Sequence, residues 1–124
     1  MKIPGNYQTV MPYLLLTDAS GFTQFCEKVF NANSATPHMR EDNKTMMHGE
    51  VMIGTSTIMF ADVTEAHRVA TANLFVYVEN ADETYALALA NGAVSVMELS
   101  NQNYGRTGGI KDPYDNVWWI TSVI

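Results

Sequence analysis

Two strand-to-helix junctions, Leu16-Thr17-Asp18-Ala19 and Val78-Glu79-Asn80-Ala81, stand 62 residues apart in a chain of 124. Ahead of the first, residues 7–16 read as a strand, in which Pro12 marks an edge or a bulge because it cannot donate to a ladder. Asp18 is the better N-cap, and Phe22, Phe25, Cys26, Val29 and Phe30 follow at helical spacing. Ahead of the second, residues 73–78 read as a strand. Asn80 opens a cap with Glu83 three residues on, and Asn91-Gly92 ends the helix that carries Tyr85, Leu87, Ala88 and Leu89. Three further strand-like segments follow each helix. After the first these are a short irregular one around Pro37-His38-Met39, then residues 46–53 and 57–61; after the second, residues 94–99, 106–111 and 117–123. Each half thus reads β-α-β-β-β. A repeat of this period is one supersecondary unit that cannot bury its own face alone. Pairing two such units predicts a single α+β domain over residues 1–124, with modules at about 7–62 and 72–124. The expected sheet is long, curved and mixed, with helices on its convex face and a trough opposite.

The stretch Gly108-Gly109-Ile110-Lys111-Asp112-Pro113-Tyr114-Asp115-Asn116-Val117-Trp118-Trp119-Ile120 closes the repeat as strand, tight turn, strand. Pro113 presets the backbone of a type I turn, and Asp112, Asp115 and Asn116 can bond their own backbone there. Strand alternation sends Trp118 and Trp119 to opposite faces. One tryptophan belongs to a core, and the other to whatever the second face covers.

Charge narrows the partners. The net charge is −6 with no basic run, which argues against nucleic acid and against an anionic membrane surface. No apolar stretch approaches the roughly 20 residues needed to span a bilayer. The N-terminal residues lack the apolar run of a signal peptide, and the single cysteine fits a reducing compartment, so a cytoplasmic protein is expected. Cys26, inside an apolar stripe with no positive neighbour in sequence, is expected to be a core thiol.

The half-chain repeat, the Asp-Pro-aromatic-Asp-Asn turn before Trp118-Trp119-Ile120, and Met47-His48-Gly49-Glu50 ahead of Ile53-Gly54-Thr55-Ser56-Thr57-Ile58-Met59 resemble one group. It is the glyoxalase / bleomycin-resistance / extradiol-dioxygenase superfamily, the vicinal oxygen chelate fold, and within it the PhnB-like branch. The resemblance covers nearly the whole chain. It implies a dimer of paired βαβββ modules with a cleft inside the curved sheet. It also implies a divalent metal held from four strands, at positions that fall here, to within a residue, on Met11, Met59, Asn73 and Trp119. None of these is a histidine or a carboxylate, and thioether, amide and indole are poor seats for a hard divalent ion. No metal and no cofactor are therefore expected at those positions.

With Trp119 turned into the trough, alternation places Met11, Tyr13, Leu15, His48, Glu50, Met52, Met59, Asn73, Phe75 and Tyr77 there with it. Such a wall is aromatic and methionine-rich with sparse polar handles, the composition of a small-molecule site. The same stripe also suits a core or a subunit contact. His48 and Glu50 share a face at i, i+2 and fit three roles: a base with its orienting carboxylate, two ligands of a displaced metal, or a structural hydrogen bond. A metal there needs a third protein ligand, available only if the fold brings His38 or His67 close. Arg106, in a glycine-rich segment, fits either an anion clamp or a salt bridge. The leading expectation is metal-independent binding of a small, partly apolar molecule by a homodimer. The rivals are a lyase, isomerase or dioxygenase with a displaced metal near His48 and Glu50, and a non-catalytic dimeric scaffold.

Overall fold

Each strand that leads into a helix ends on the outside of its own sheet. The structure, a computed structural model, describes residues 1–124. Its elements are β1 Tyr13–Leu16, α1 Ala19–Phe30, β2 Asn33–Ser34, β3 His38–Met39, β4 Met46–Ile53 and β5 Ser56–Asp62, then β6 Asn73–Tyr77, α2 Ala81–Ala90, β7 Val94–Gln102, β8 Gly105–Lys111 and β9 Val117–Ser122. One sheet runs β1-β5-β4-β2, with β3 also on β4, and the other runs β6-β9-β8-β7. β1 lies parallel to β5, and β6 parallel to β9. The modules join where Leu15 exchanges both backbone bonds with Ala70 of the linker, at 2.9 and 3.0 Å.

The two helix starts are fixed at equivalent points by different chemistry. Asp18 caps α1 by accepting the Gly21 N–H at 2.9 Å, and Asn80 caps α2 through the Glu83 N–H at 3.2 Å. The first N–H of α1, at Ala19, donates to Asp62 at the end of β5, and that of α2, at Ala81, donates to Ser122 at the end of β9.

Phe22, Phe25, Cys26, Val29 and Phe30 form the buried stripe of α1, and burial raises the Cys26 thiol well above its ordinary range. Phe22 meets Phe60 of β5 with ring centroids 5.0 Å apart, and Phe30 meets Trp118 of β9 at 4.5 Å. One helix therefore packs on both sheets, and a single core of 19 residues serves the two modules.

The final turn is organised by a buried carboxylate. Asp112, 3% exposed, accepts the Tyr114 N–H at 2.8 Å and the Asn116 N–H at 3.0 Å through one oxygen. Its other oxygen accepts the Trp118 indole N–H at 2.8 Å and the Asn116 side-chain amide at 3.1 Å. Desolvation raises the Asp112 pKa; the four donors oppose that rise without cancelling it.

The predicted first strand is shorter than expected: β1 begins at Tyr13, and residues 7–12 are irregular. Pro12 still accepts from the Met59 N–H, but beyond it the Gln8 carboxamide takes over the ladder, donating to the Thr57 carbonyl at 2.9 Å and accepting the Thr57 N–H at 3.2 Å. β7 is longer than predicted and turns into β8 at Gly105, where φ is +147° and an added Cβ would lie 2.5 Å from the Ser122 carbonyl oxygen.

Replacing Asp112 by Ala leaves the Trp118 and Asn116 donors buried without an acceptor, and is expected to cost about 3 kcal/mol or more in urea denaturation. Asp115, exposed in the same turn with φ +71°, is the control: Asp115→Gly should change stability by less than about 1 kcal/mol.

Candidate functional site

Alternation along β9 divides its side chains as the sequence predicts. Trp118 and Ile120 enter the core, while Trp119 lies on the face away from the helices. Its ring covers Gly109, its cross-strand partner, so closely that a Cβ there would meet it at 2.6 Å. Phe75, the partner of Trp119 on the other side, continues the row. Phe75 and Tyr77 pack edge to face with centroids 5.2 Å apart, and both are more than half exposed at 51% and 63%. Rings this exposed form a surface wall and are not part of the core.

The first module builds the matching row: Tyr13 faces Met59, and Met59 faces Glu50, across adjacent strands. A polar chain crosses this otherwise apolar surface. The Tyr7 hydroxyl donates to Glu50 Oε2 at 2.6 Å, His48 Nε2 lies 2.8 Å from the same oxygen, and the Tyr13 hydroxyl lies 3.3 Å from His48 Nδ1. An ionised carboxylate only accepts, so Nε2 carries the proton shared with Glu50, and the Tyr13 hydroxyl meets the ring's other nitrogen. Burial pushes the Glu50 pKa up, but the Tyr7 and His48 hydrogen bonds outweigh it and hold the carboxyl below its usual range. The same carboxylate pushes the Tyr7 phenol up.

Of the other histidines, His38 comes near, its ring centroid 6.3 Å from that of His48, whereas His67 stays in a linker turn with Thr64. Met52 shares the His48–Glu50 side of β4 and is half-buried, as is Met11 ahead of β1. Of the two roles expected for Arg106, the structure shows the salt bridge and not the anion clamp. Arg106 sits opposite Ser122, on the helix side of β8, with Nε 2.5 Å and Nη2 3.2 Å from the Asp82 carboxylate and Nη1 3.0 Å from Asn101. The guanidinium is taken by the start of α2 and does not reach the trough.

The four positions at which the resemblance implies a metal do not fit one. The Trp119 indole N–H donates to Asn73 Oδ1 at 2.5 Å, so the one side-chain oxygen of that set already accepts a hydrogen bond from within it. No group of three His, Cys, Asp or Glu side chains is placed to hold an ion. Tyr7 and Gln8 were not legible as site residues. Both precede Pro12 in what reads as ordinary strand, and only the fold shows their side chains bonded to β4 and β5.

No family profile and no curated protein matches the chain. Solved structures do. A PhnB protein from Bacillus cereus superposes with a TM-score of 0.76 at 16% identity, covering 94% of this chain and 100% of its own. A glyoxalase/bleomycin resistance protein/dioxygenase family enzyme from Burkholderia phytofirmans PsJN gives 0.66 at 19% identity, over 93% and 96%. This is the glyoxalase-like fold. The fosfomycin resistance protein FosX from Listeria monocytogenes shares it, with a TM-score of 0.74 at 13% identity over 99% of this chain and 96% of that one. Identities this low make the likeness one of fold, so the chemistry of this glyoxalase-like chain is read from its own residues.

Because the Glu50 pKa is lower folded than unfolded, its contribution to stability is present above about pH 4.3 and is lost as pH falls through the folded value. In urea melts between pH 6 and 3, the stability gap between the parent and Glu50→Gln is expected to narrow as pH falls. A constant gap would mean that the carboxylate charge is not what Tyr7 and His48 recognise.

Proposed function

We propose that the protein binds a small, partly apolar molecule in the trough lined by its two sheets, without a divalent metal. The Trp119–Asn73 hydrogen bond carries the reading. It closes two of the implied metal positions on each other and, with Met59, leaves an aromatic and thioether surface there. The rows Tyr13–Met59–Glu50 and Phe75–Trp119–Gly109 supply apolar contact from both modules. The Tyr7–Glu50–His48–Tyr13 chain supplies orientation, since Tyr13 and His48 present polar atoms at fixed positions on an apolar wall. A homodimer, as the resemblance implies, would cover more of the exposed Phe75 and Tyr77 rings.

A second reading rests on the same chain of bonds. His48 lies between a hydroxyl and a carboxylate, so it can take a proton from Tyr13 while Glu50 stabilises the imidazolium. Tyr13, half exposed, is then the acid–base group that meets a substrate.

The binding reading predicts that EDTA leaves the melting temperature unchanged, and that protein purified without chelator carries no stoichiometric divalent metal. A thermal-shift screen of neutral apolar and anionic compounds should yield ligands that raise the melting temperature, about 2.7 kcal/mol of stabilisation being expected at a hundredfold excess over Kd. Trp119→Ala should abolish those shifts. A chelator-sensitive melting temperature would overturn the metal-independent reading.

A further inference from the structure

The repeat is broken at one place. On β1 the register with β5 turns the backbone groups of Tyr13 and Leu15 outward, and Leu15 is closed by its two-bond exchange with Ala70. On β6 the register with β9 sends the groups of Leu74, Val76 and Val78 inward, as the Val78 N–H to Thr121 carbonyl bond of 2.9 Å shows. Those of Phe75 and Tyr77 therefore face outward, from a strand at the end of its sheet. Leu15 and Tyr77 stand 62 residues apart, the spacing of the helix caps, so the residue equivalent to Ala70 is Gln8. Gln8 is not there. Its carboxamide is bonded to the backbone of Thr57 on the other module.

The place left open adjoins a cavity of about 500 Å³ in the seam between the modules. Gln8, Pro12, Ser56 and Tyr77 line its sides, and it reaches Ile58 and Trp118 on the core side of the sheets. No charged side chain lines it.

We propose that this seam binds an uncharged, peptide-like molecule, an N-acyl amino-acid amide with an apolar side chain. Such a molecule carries an N–H and a C=O on one residue, and these close the Tyr77 edge as Ala70 closes Leu15. Its apolar group fills the cavity toward Ile58 and Trp118, and the uncharged lining selects against free amino acids and carboxylates, whose desolvation nothing there offsets. The inference rests on the reading of the trough as a small-molecule site, since Phe75 and Tyr77 belong to both, and it names the ligand class.

The test uses the ¹⁵N-labelled full chain and N-acetyl-L-phenylalanine methylamide as probe, with the analogue N-methylated at the phenylalanine nitrogen as control. The Tyr77 amide resonance should move during the titration, and its hydrogen exchange should slow at least tenfold at saturation. The control, lacking the donor, should bind about tenfold more weakly. Ser56→Trp, at an exposed position on the rim, should abolish probe binding without changing the melting temperature. Equal binding of the two compounds, or no binding of either, overturns the proposal. So does a Tyr77 amide already protected in the free protein; if that protection grows with protein concentration, the occupant is a second copy of the chain. A compound that quenches Trp119 fluorescence without moving the Tyr77 amide leaves the trough reading standing and overturns this one alone.

Discussion

A buried carboxylate at the last turn holds the two halves of this protein in register. Taking Asp112 out of water is unfavourable by itself, and the turn offsets that cost with two backbone amides, the Asn116 side chain and the Trp118 indole. The indole bond fixes the ring of Trp118 where Phe22 and Phe30 of the other module meet it. Strand alternation then leaves Trp119 no choice of side. One carboxylate thus orients both the aromatic joint between the modules and the aromatic wall of the trough. Phe22 touches Phe60 as well as Trp118, so displacement of either module exposes apolar surface belonging to both.

What was legible in the sequence was whatever periodicity controls. The helix stripe of α1, the capped start of α2, the strands of the second half and the opposite facing of the two tryptophans all follow from residue spacing, because backbone geometry alone imposes it. What was not legible depends on side chains acting in place of backbone, or on partners distant in sequence. Gln8 continues the β5 ladder with its carboxamide, so its segment reads as strand and is not one. Tyr7 reaches Glu50 across 43 residues of sequence. Arg106 was left between two roles by its glycine-rich setting, ligand clamp or salt bridge, and its place on the helix side of β8 decides for the salt bridge, with Asp82.

The two modules share a backbone plan and differ in what their open faces carry. Across the second module, Trp119 covers Gly109 and donates to Asn73, which leaves apolar surface and a satisfied indole. Across the first, Glu50 accepts from both Tyr7 and His48, and the chain ends on an exposed phenol at Tyr13. On the proposed binding reading, a ligand lying between them would meet one wall that favours apolar area and one that fixes a polar group. Discrimination among ligands would then fall to the second wall, because apolar contact is non-directional and hydrogen bonds are not.

The same unequal treatment of equivalent positions explains why the seam exists. Asp62 spends its two oxygens on Ala19 and Met46, tying α1 to β4, whereas Ser122 has one hydroxyl for Ala81 alone. Ala70, held in a linker anchored at both ends by strands, is confined near the Leu15 edge and pairs with it. Gln8 belongs to the segment ahead of β1, and Asn6, Tyr7 and Gln8 all find partners on β4 and β5 instead. A duplicated unit whose second edge depends on the segment ahead of β1 leaves that edge open whenever that segment bonds elsewhere. In this chain those bonds hold residues 6–8 on the first module, and the open backbone edge at Tyr77 is their consequence.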